Sequence, residues 1–200
     1  MDVAQKIVVG ISGASGAIYG LRLLEELVTR PFDVHLIISG AGMLVLKHET
    51  AYAGEPVEQF LGARTGGFHP AARLHVHDPG DLFAPPASGS FLHAGMAIAP
   101  CSMKTLGAVA AGLSDNLMLR AADVCLKEKR PLVLLAREMP LSLIHLKNMC
   151  RAAEAGATVM PPSPGFYNRP ETVGDLVDSV VGRLLDQLNI AHSLVKRWGE

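Results

Sequence analysis

Short apolar runs recur along the chain at 6–12, 33–39, 94–100, 131–136 and 157–161, each rich in Val, Ile, Leu or Ala and none alternating with polar residues. Unalternated runs of that length are what strands buried on both faces require. Between them the period changes to that of a helix. From Ala17 to Arg30, residues Leu21, Leu24, Leu27 and Val28 fall on one stripe, and Pro31 stops the element. From Thr172 to Asn189 the stripe is Leu176, Val177, Val180, Val181, Leu184 and Leu188, opened by Thr172 and Asp175 as a capping pair. Buried strands alternating with amphipathic helices predict an α/β fold, a Rossmann-like doubly wound parallel sheet. No internal repeat or low-complexity segment is found. The stretch 54–93 is the least regular, and the run from Ala84 to Ser90 reads as a loop.

Composition sets the scale of this fold. With 200 residues, 49% hydrophobic and only 18% charged, the chain can bury one core, so a single domain over 1–200 is expected. A net charge of −1 without like-charge runs gives no reason to expect nucleic acid or a membrane surface. Eight methionines and a positive mean hydropathy point to a subunit interface, hence a homo-oligomer, with the tail at about 190–200 among its contacts. Cys101, Cys125 and Cys150 are too far apart for a CxxC pair and odd in number, so reduced thiols are expected. Neither a signal core nor an ~18-residue apolar span occurs, which predicts a cytoplasmic protein.

Ligands of open α/β sheets sit beyond the carboxyl ends of the strands. The first strand passes into Gly10, Gly13 and Gly16 with Ala14 and Ser15 between them, just before the first helix. Glycines admit an anion close to the backbone, and the helix start favours negative charge. This is a phosphate cradle in pattern. Ile11 stands where a dinucleotide fingerprint needs its second glycine, and the second strand ends in Ser39 rather than an acidic residue. A mononucleotide is therefore preferred over NAD. Ser102, Met103, Lys104 and Thr105 open another helix start, a second anion cradle, and Arg137 and Glu138 follow the next strand.

Other polar groups have plainer readings on pattern alone. Arg120, Asp123 and Lys127 read as a salt-bridged solvated face, Arg183 as an arginine snorkelling beside an apolar stripe, and Glu49 as a surface carboxylate. His145 reads as packed. The eight histidines are read as showing neither HExxH nor HxH spacing, so no zinc site is expected, and no G-x-S-x-G marks a serine hydrolase.

Taken together, GISGASGAIYGLRLLEEL, PPASGSF, APCSMKT, LRAADVCLKEKRPLVLLARE, PLSLIHLKNM and PPSPGFYNRP strongly resemble the UbiX-type flavin prenyltransferases, over nearly the whole chain outside 54–80. The resemblance implies a flavodoxin-like three-layer subunit that binds FMN and transfers a dimethylallyl group from dimethylallyl monophosphate to reduced FMN. The product, prenylated FMN, would serve a UbiD-type decarboxylase. The resemblance also implies a homododecamer. It assigns Gly13, Ala14, Ser15, Ser39, Ser102, Met103, Lys104, Thr105 and Arg137 to FMN. Glu49, Lys127, Arg120, Glu138, Tyr167 and Arg183 would surround the prenyl phosphate and the reacting flavin edge. Ser88, Gly89, Ser90 and Trp198 occupy places that complete the site across a subunit boundary. Asn168 after Tyr167 and Gly40 after Ser39 depart from the histidine and lysine common there.

The chemistry of the residues agrees with that implication. An allylic monophosphate leaves with about two negative charges, which lysine and arginine can neutralise. Prenyltransferases that act on diphosphates through magnesium carry aspartate-rich motifs, and this chain has no Asp-Asp pair, so a metal-independent transfer is expected. A flavin-dependent cysteine decarboxylase of the same fold would show P-A-S-A-N-T where this chain has Ala99-Pro-Cys-Ser-Met-Lys-Thr. A direct hydroxybenzoate decarboxylase would need an electron sink that plain FMN supplies poorly. A non-catalytic FMN-binding subunit would not need the second anion site formed by Lys127, Glu138, Tyr167 and Arg183.

Overall fold

The computed structural model describes residues 4–197. The chain starts with strand β1 (Gln5–Ile11), helix α1 (Ala17–Val28) and strand β2 (Phe32–Ile38). Helices α2 (Gly40–Glu49) and α3 (Val57–Thr65) lead to strand β3 (Arg73–His77), and a 3-10 turn at Pro85–Ala87 precedes strand β4 (Met96–Cys101). The second half runs α4 (Met103–Ala110), α5 (Leu117–Lys127), β5 (Leu132–Ala136), α6 (Leu143–Glu154), β6 (Thr158–Val159) and α7 (Val173–Gln187). Every neighbouring strand pair is parallel, in the spatial order β3-β2-β1-β4-β5-β6. The order reverses between β1 and β4, and the crevice beyond their carboxyl ends is where such a sheet receives a ligand.

Side-chain alternation along each strand divides the core into two layers. Ile7, Val9 and Ile11 face the layer that holds Leu24, Leu27 and Val181, whereas Val8, Met96 and Ile98 face Leu106, Met118 and Cys125. Both faces are covered, which explains why the apolar runs do not alternate in sequence. Helix α1 seats unusually close to β4: a Cβ on Gly20 would stand 2.3 Å from the carbonyl oxygen of Ala99. Helix α7 lies beside α1, joined by Arg22 Nε donating to Asp178 Oδ1 at 2.6 Å. Its start carries the expected capping box, Thr172 accepting from the Asp175 N–H while Asp175 accepts from Thr172.

Several elements depart from the sequence reading. Strand β3, Arg-Leu-His-Val-His, lies inside the stretch read as irregular, because an edge strand half open to water needs no apolar run. Helix α3 was hidden for a similar reason, burying only Val57, Phe60 and Leu61. Strand β6 covers Thr158–Val159 rather than 157–161, and Pro161 follows it. Helix α1 ends at Val28, two residues before Arg30. The three cysteines are free, as expected. Among the described residues no helix is long and apolar enough to cross a membrane. Trp198 lies outside the described residues.

Candidate active site

The two central strands are locked together where they end. Buried Ser12, just past β1, donates its hydroxyl to the carbonyl of Pro100 at 2.9 Å and accepts the Ser102 N–H at 2.8 Å. This stitch fixes the start of α4 relative to the β1 loop. Ser102 is the N-cap of α4, accepting from the Thr105 N–H at 3.3 Å and donating to Thr105 Oγ1 at 3.1 Å. Ser39 caps α2 in the same way, accepting from Gly42 N–H at 3.0 Å. Gly13 is required here by close approach, since a Cβ would come within 2.4 Å of the Ala41 Cβ.

These caps border a cavity of about 740 Å³ that contains Gly13, Ser39, the run from Ser102 to Thr105, and Glu138. Asn116, Met118 and Leu119 at the start of α5 also line it. A second cavity of about 500 Å³ is lined by Ser15, Tyr19, Glu49, Arg137 and Glu138. Glu138 borders both, so the two spaces adjoin.

The α1 cradle holds an anion of the chain itself. Glu49 Oε2 accepts the N–H groups of Gly16 at 2.8 Å and Ala17 at 3.0 Å. Burial works against the charge on this carboxyl, but hydrogen bonds from Ser15, Gly16 and Ala17 and the nearby Arg137 outweigh it and hold Glu49 below the usual carboxylate range. The sequence placed a phosphate at this loop. The geometry gives the first amides of α1 to Glu49, while Gly13 of the same loop and the capped starts of α2 and α4 line the larger cavity. Glu49 therefore lines the smaller cavity and is not an idle surface carboxylate.

The remaining predicted residues fall into two separate groups. Arg120 donates to the carbonyl of Ala87 at 3.0 Å and to Asp123 at 2.7 Å, and Lys127 pairs with Glu128. A Cβ on Gly89 would lie 2.8 Å from Lys127 Nζ, so the 87–90 loop packs on these two cations. Ser88 and Ser90 hydrogen-bond each other at 2.8 Å in the same loop. None of these side chains lines either cavity described above. Tyr167 and Arg183 line a third space of about 350 Å³ together with Asp186, His192 and Arg197, and Arg183 donates to Asp186 at 2.7 Å. Within one chain the predicted site is thus in three pieces.

Sequence reasoning missed Ser12 and Asn116. The Asn116 side chain caps α5 by accepting the Leu119 N–H at 3.1 Å, and the N-cap signal before the apolar run of α5 could have revealed it. His145 also differs from its packed reading: it is the N3 residue of the α6 capping box, its Nδ1 paired with the Ser142 N–H at 3.2 Å, and it borders the large cavity. Cysteine chemistry is disfavoured at the site, because burial pushes the Cys101 thiol far up and the Cys125 thiol up to about 12.

A parallel sheet with a cavity at its switch point is the architecture of the nucleotide-binding α/β proteins, and the Flavoprotein family model matches residues 1–185. The chain is 47% identical over 204 residues to the flavin prenyltransferase UbiX of Pseudomonas aeruginosa, covering 100% of this chain and 97% of that one. The structure of AnUbiX in complex with FMN and dimethylallyl pyrophosphate superposes with a TM-score of 0.87 at 41% identity, covering 98% of each chain. A dodecameric FMN-dependent UbiX-like decarboxylase from Escherichia coli superposes with a TM-score of 0.85 at 43% identity, over 98% of this chain and 100% of that one. The chain belongs to the UbiX-type flavin prenyltransferases.

Proposed function

We propose that this chain transfers a dimethylallyl group from dimethylallyl monophosphate to reduced FMN. In that transfer the allylic C–O bond would break with inorganic phosphate as the leaving group, and reduced flavin held by Ser39 and the run from Ser102 to Thr105 would supply the electron pair of the new bond, its displaced proton passing to a base of this chain. The observation that carries this reading is the pair of adjoining cavities at the switch point, one of about 740 Å³ ending on the capped start of α4 and one of about 500 Å³ bordered by Glu49 and Arg137. The larger fits a flavin mononucleotide, with Ser102, Lys104, Thr105 and Ser39 as its donor set. The smaller fits a short allyl phosphate. Bound there, reduced FMN supplies the electron-rich acceptor for the allyl group.

The chain's own groups divide the remaining tasks. Arg137 brings positive charge to the smaller cavity, and Glu49 sets a carboxylate there as a candidate acceptor for the proton lost at the flavin, a weak base because the bonds that hold it ionised also lower its basicity. Glu138 borders both spaces and is a second candidate for that proton. Arg120, Lys127 and Arg183 neutralise the departing phosphate from a neighbouring copy, since none of them reaches these cavities within its own chain. Exposed Met139, Leu143, Ile144 and Phe166 supply apolar surface for that assembly, a dodecamer as in the Escherichia coli relative. The reading places the protein in the cytoplasm and passes its product to a UbiD-type decarboxylase.

The test is anaerobic incubation of purified protein with reduced FMN and dimethylallyl monophosphate, without added metal, followed by mass spectrometry of the flavin. A flavin heavier by one C5 unit is expected. Unmodified FMN bound tightly would overturn the transferase reading in favour of a cysteine decarboxylase or a flavin-holding subunit.

A further inference from the structure

Away from the flavin crevice, the β2–β3 edge carries a cluster that the prenyl-transfer reading does not use. Parallel register sets His35 beside His75 and Ile37 beside His77, and period-two alternation puts Asp33, His35, His75 and His77 on one face. Contrary to the reading of the histidines as lacking such a pair, His75 and His77 stand in H-x-H spacing, which on a strand aims both rings the same way. Asp33 Oδ1 lies 2.9 Å from His75 Nε2 and 3.7 Å from His35 Nε2, and the three ligand atoms fall within 4.8 Å of one another.

We infer that Asp33, His35 and His75 form a binding site for a divalent transition metal of the zinc type. Zinc binds imidazole nitrogen and carboxylate oxygen at about 2.0–2.2 Å, so two ligands at a tetrahedral centre stand roughly 3.3 Å apart. The two measured separations bracket that value.

An unsatisfied buried atom points the same way. His35 is 4% exposed, and its Nε2 is buried without a hydrogen-bond partner. Its other nitrogen, Nδ1, is paired with His77 Nε2 at 2.8 Å. That is the arrangement by which an outer partner fixes the tautomer and aim of a metal-ligating ring. If Nδ1 carries the proton, the Nε2 lone pair faces the Asp33 carboxylate, and a cation between them relieves the repulsion. Asp33 Oδ1 is likewise buried without a hydrogen bond of good geometry, despite its approach to His75.

The surroundings permit the site. The nearest lysine across the register, Lys6, lies over the Phe91 ring at 4.8 Å, and among the described residues it makes no ion pair with Asp33. Phe91 in turn packs edge-on against His35 at 4.7 Å, closing the buried end, while the His75 side chain is about half exposed and leaves a fourth position to water. His35 precedes Ser39 by four residues, roughly 13 Å along an extended chain, so this metal stands apart from the transfer chemistry. It would tie the edge strand β3 to β2.

The test uses untagged full-length protein stripped with EDTA and titrated with Zn²⁺ against a chromophoric chelator, with Co²⁺ absorption as a second readout. One Zn²⁺ per chain and visible Co²⁺ bands of four-coordinate intensity are expected. His75→Gln, at an exposed position that folding tolerates, should abolish the stoichiometric site. His77→Gln should weaken it by about 10- to 100-fold. His69→Gln, in a loop elsewhere, should bind like the parent. Absence of stoichiometric binding, or binding by His75→Gln equal to the parent, would overturn the site and leave Asp33 and His75 as a simple ion pair.

Discussion

At the scale of single residues, Glu49 ties the start of α1 to the wall of the smaller cavity, where the proposed function puts the reacting groups. Its carboxylate replaces water on the first amides of α1 and stands beside Ser15 and Arg137, so one group caps a helix and faces the smaller cavity. Glu49→Gln keeps the size and removes the charge. We expect single-turnover prenylation to fall by about 10²–10³-fold, the range of a lost proton-transfer group, with FMN affinity changed only slightly. A fall in FMN binding equal to the fall in rate would assign Glu49 to the cofactor instead. The carboxyl also links stability to pH. Its folded value lies below its unfolded value, so its contribution is fully present above the ordinary carboxylate range and is lost as the pH falls through the folded value. Urea midpoints should therefore separate parent and Glu49→Gln at neutral pH and converge as the pH falls below the ordinary carboxylate range and through the folded value.

At the scale of elements, the fit of α1 against β4 rests on a missing side chain. Gly20→Ala would drive a methyl group onto the Ala99 carbonyl, which is backbone and cannot swing away. A loss of about 3 kcal/mol is expected from denaturant unfolding, at the upper end of overpacking costs. Thr172→Ala, which removes half of the α7 capping box, should cost about 1 kcal/mol in the same assay.

The same elements explain what was legible in the sequence. β1, β2, β4 and β5 are buried on both faces, so their apolar runs announced them, and the caps of α4 and α7 stood in the sequence as Ser102 and Thr172. β3 was illegible because an edge strand carrying His75 and His77 has no hydrophobic pattern to show. Likewise, the glycines of 13–16 announced a cradle but not its occupant. Glu49 arrives there from 33 residues away, and only the packing of α2 against α1 brings it.

At the scale of the whole molecule, the division of the predicted site into three pieces is the principal constraint. Arg120 and Lys127 sit with the 87–90 loop, Arg183 sits on α7 beside His192 and Arg197, and Glu49 and Arg137 border the smaller cavity. Arg183 lies on the surface of α7, where its charge is presented outward, and Ile190 and His192 of the following segment are buried in their own chain. A monomer would thus hold a flavin with few cations near the leaving phosphate. On the proposed reading, assembly brings a neighbour's cations to that position, and each active site is then shared by at least two chains. This arrangement permits complementation. Lys127→Ala and Glu49→Gln subunits, each nearly inactive alone, can be dissociated, mixed and reassembled. Sites that draw Lys127 from one chain and Glu49 from another then include intact pairs. With random mixing of equal amounts, about one site in four should be intact and activity should recover to about a quarter of the parent value. If every site drew both residues from the same chain, the mixture would stay as inactive as its components, and the shared-site reading would fail.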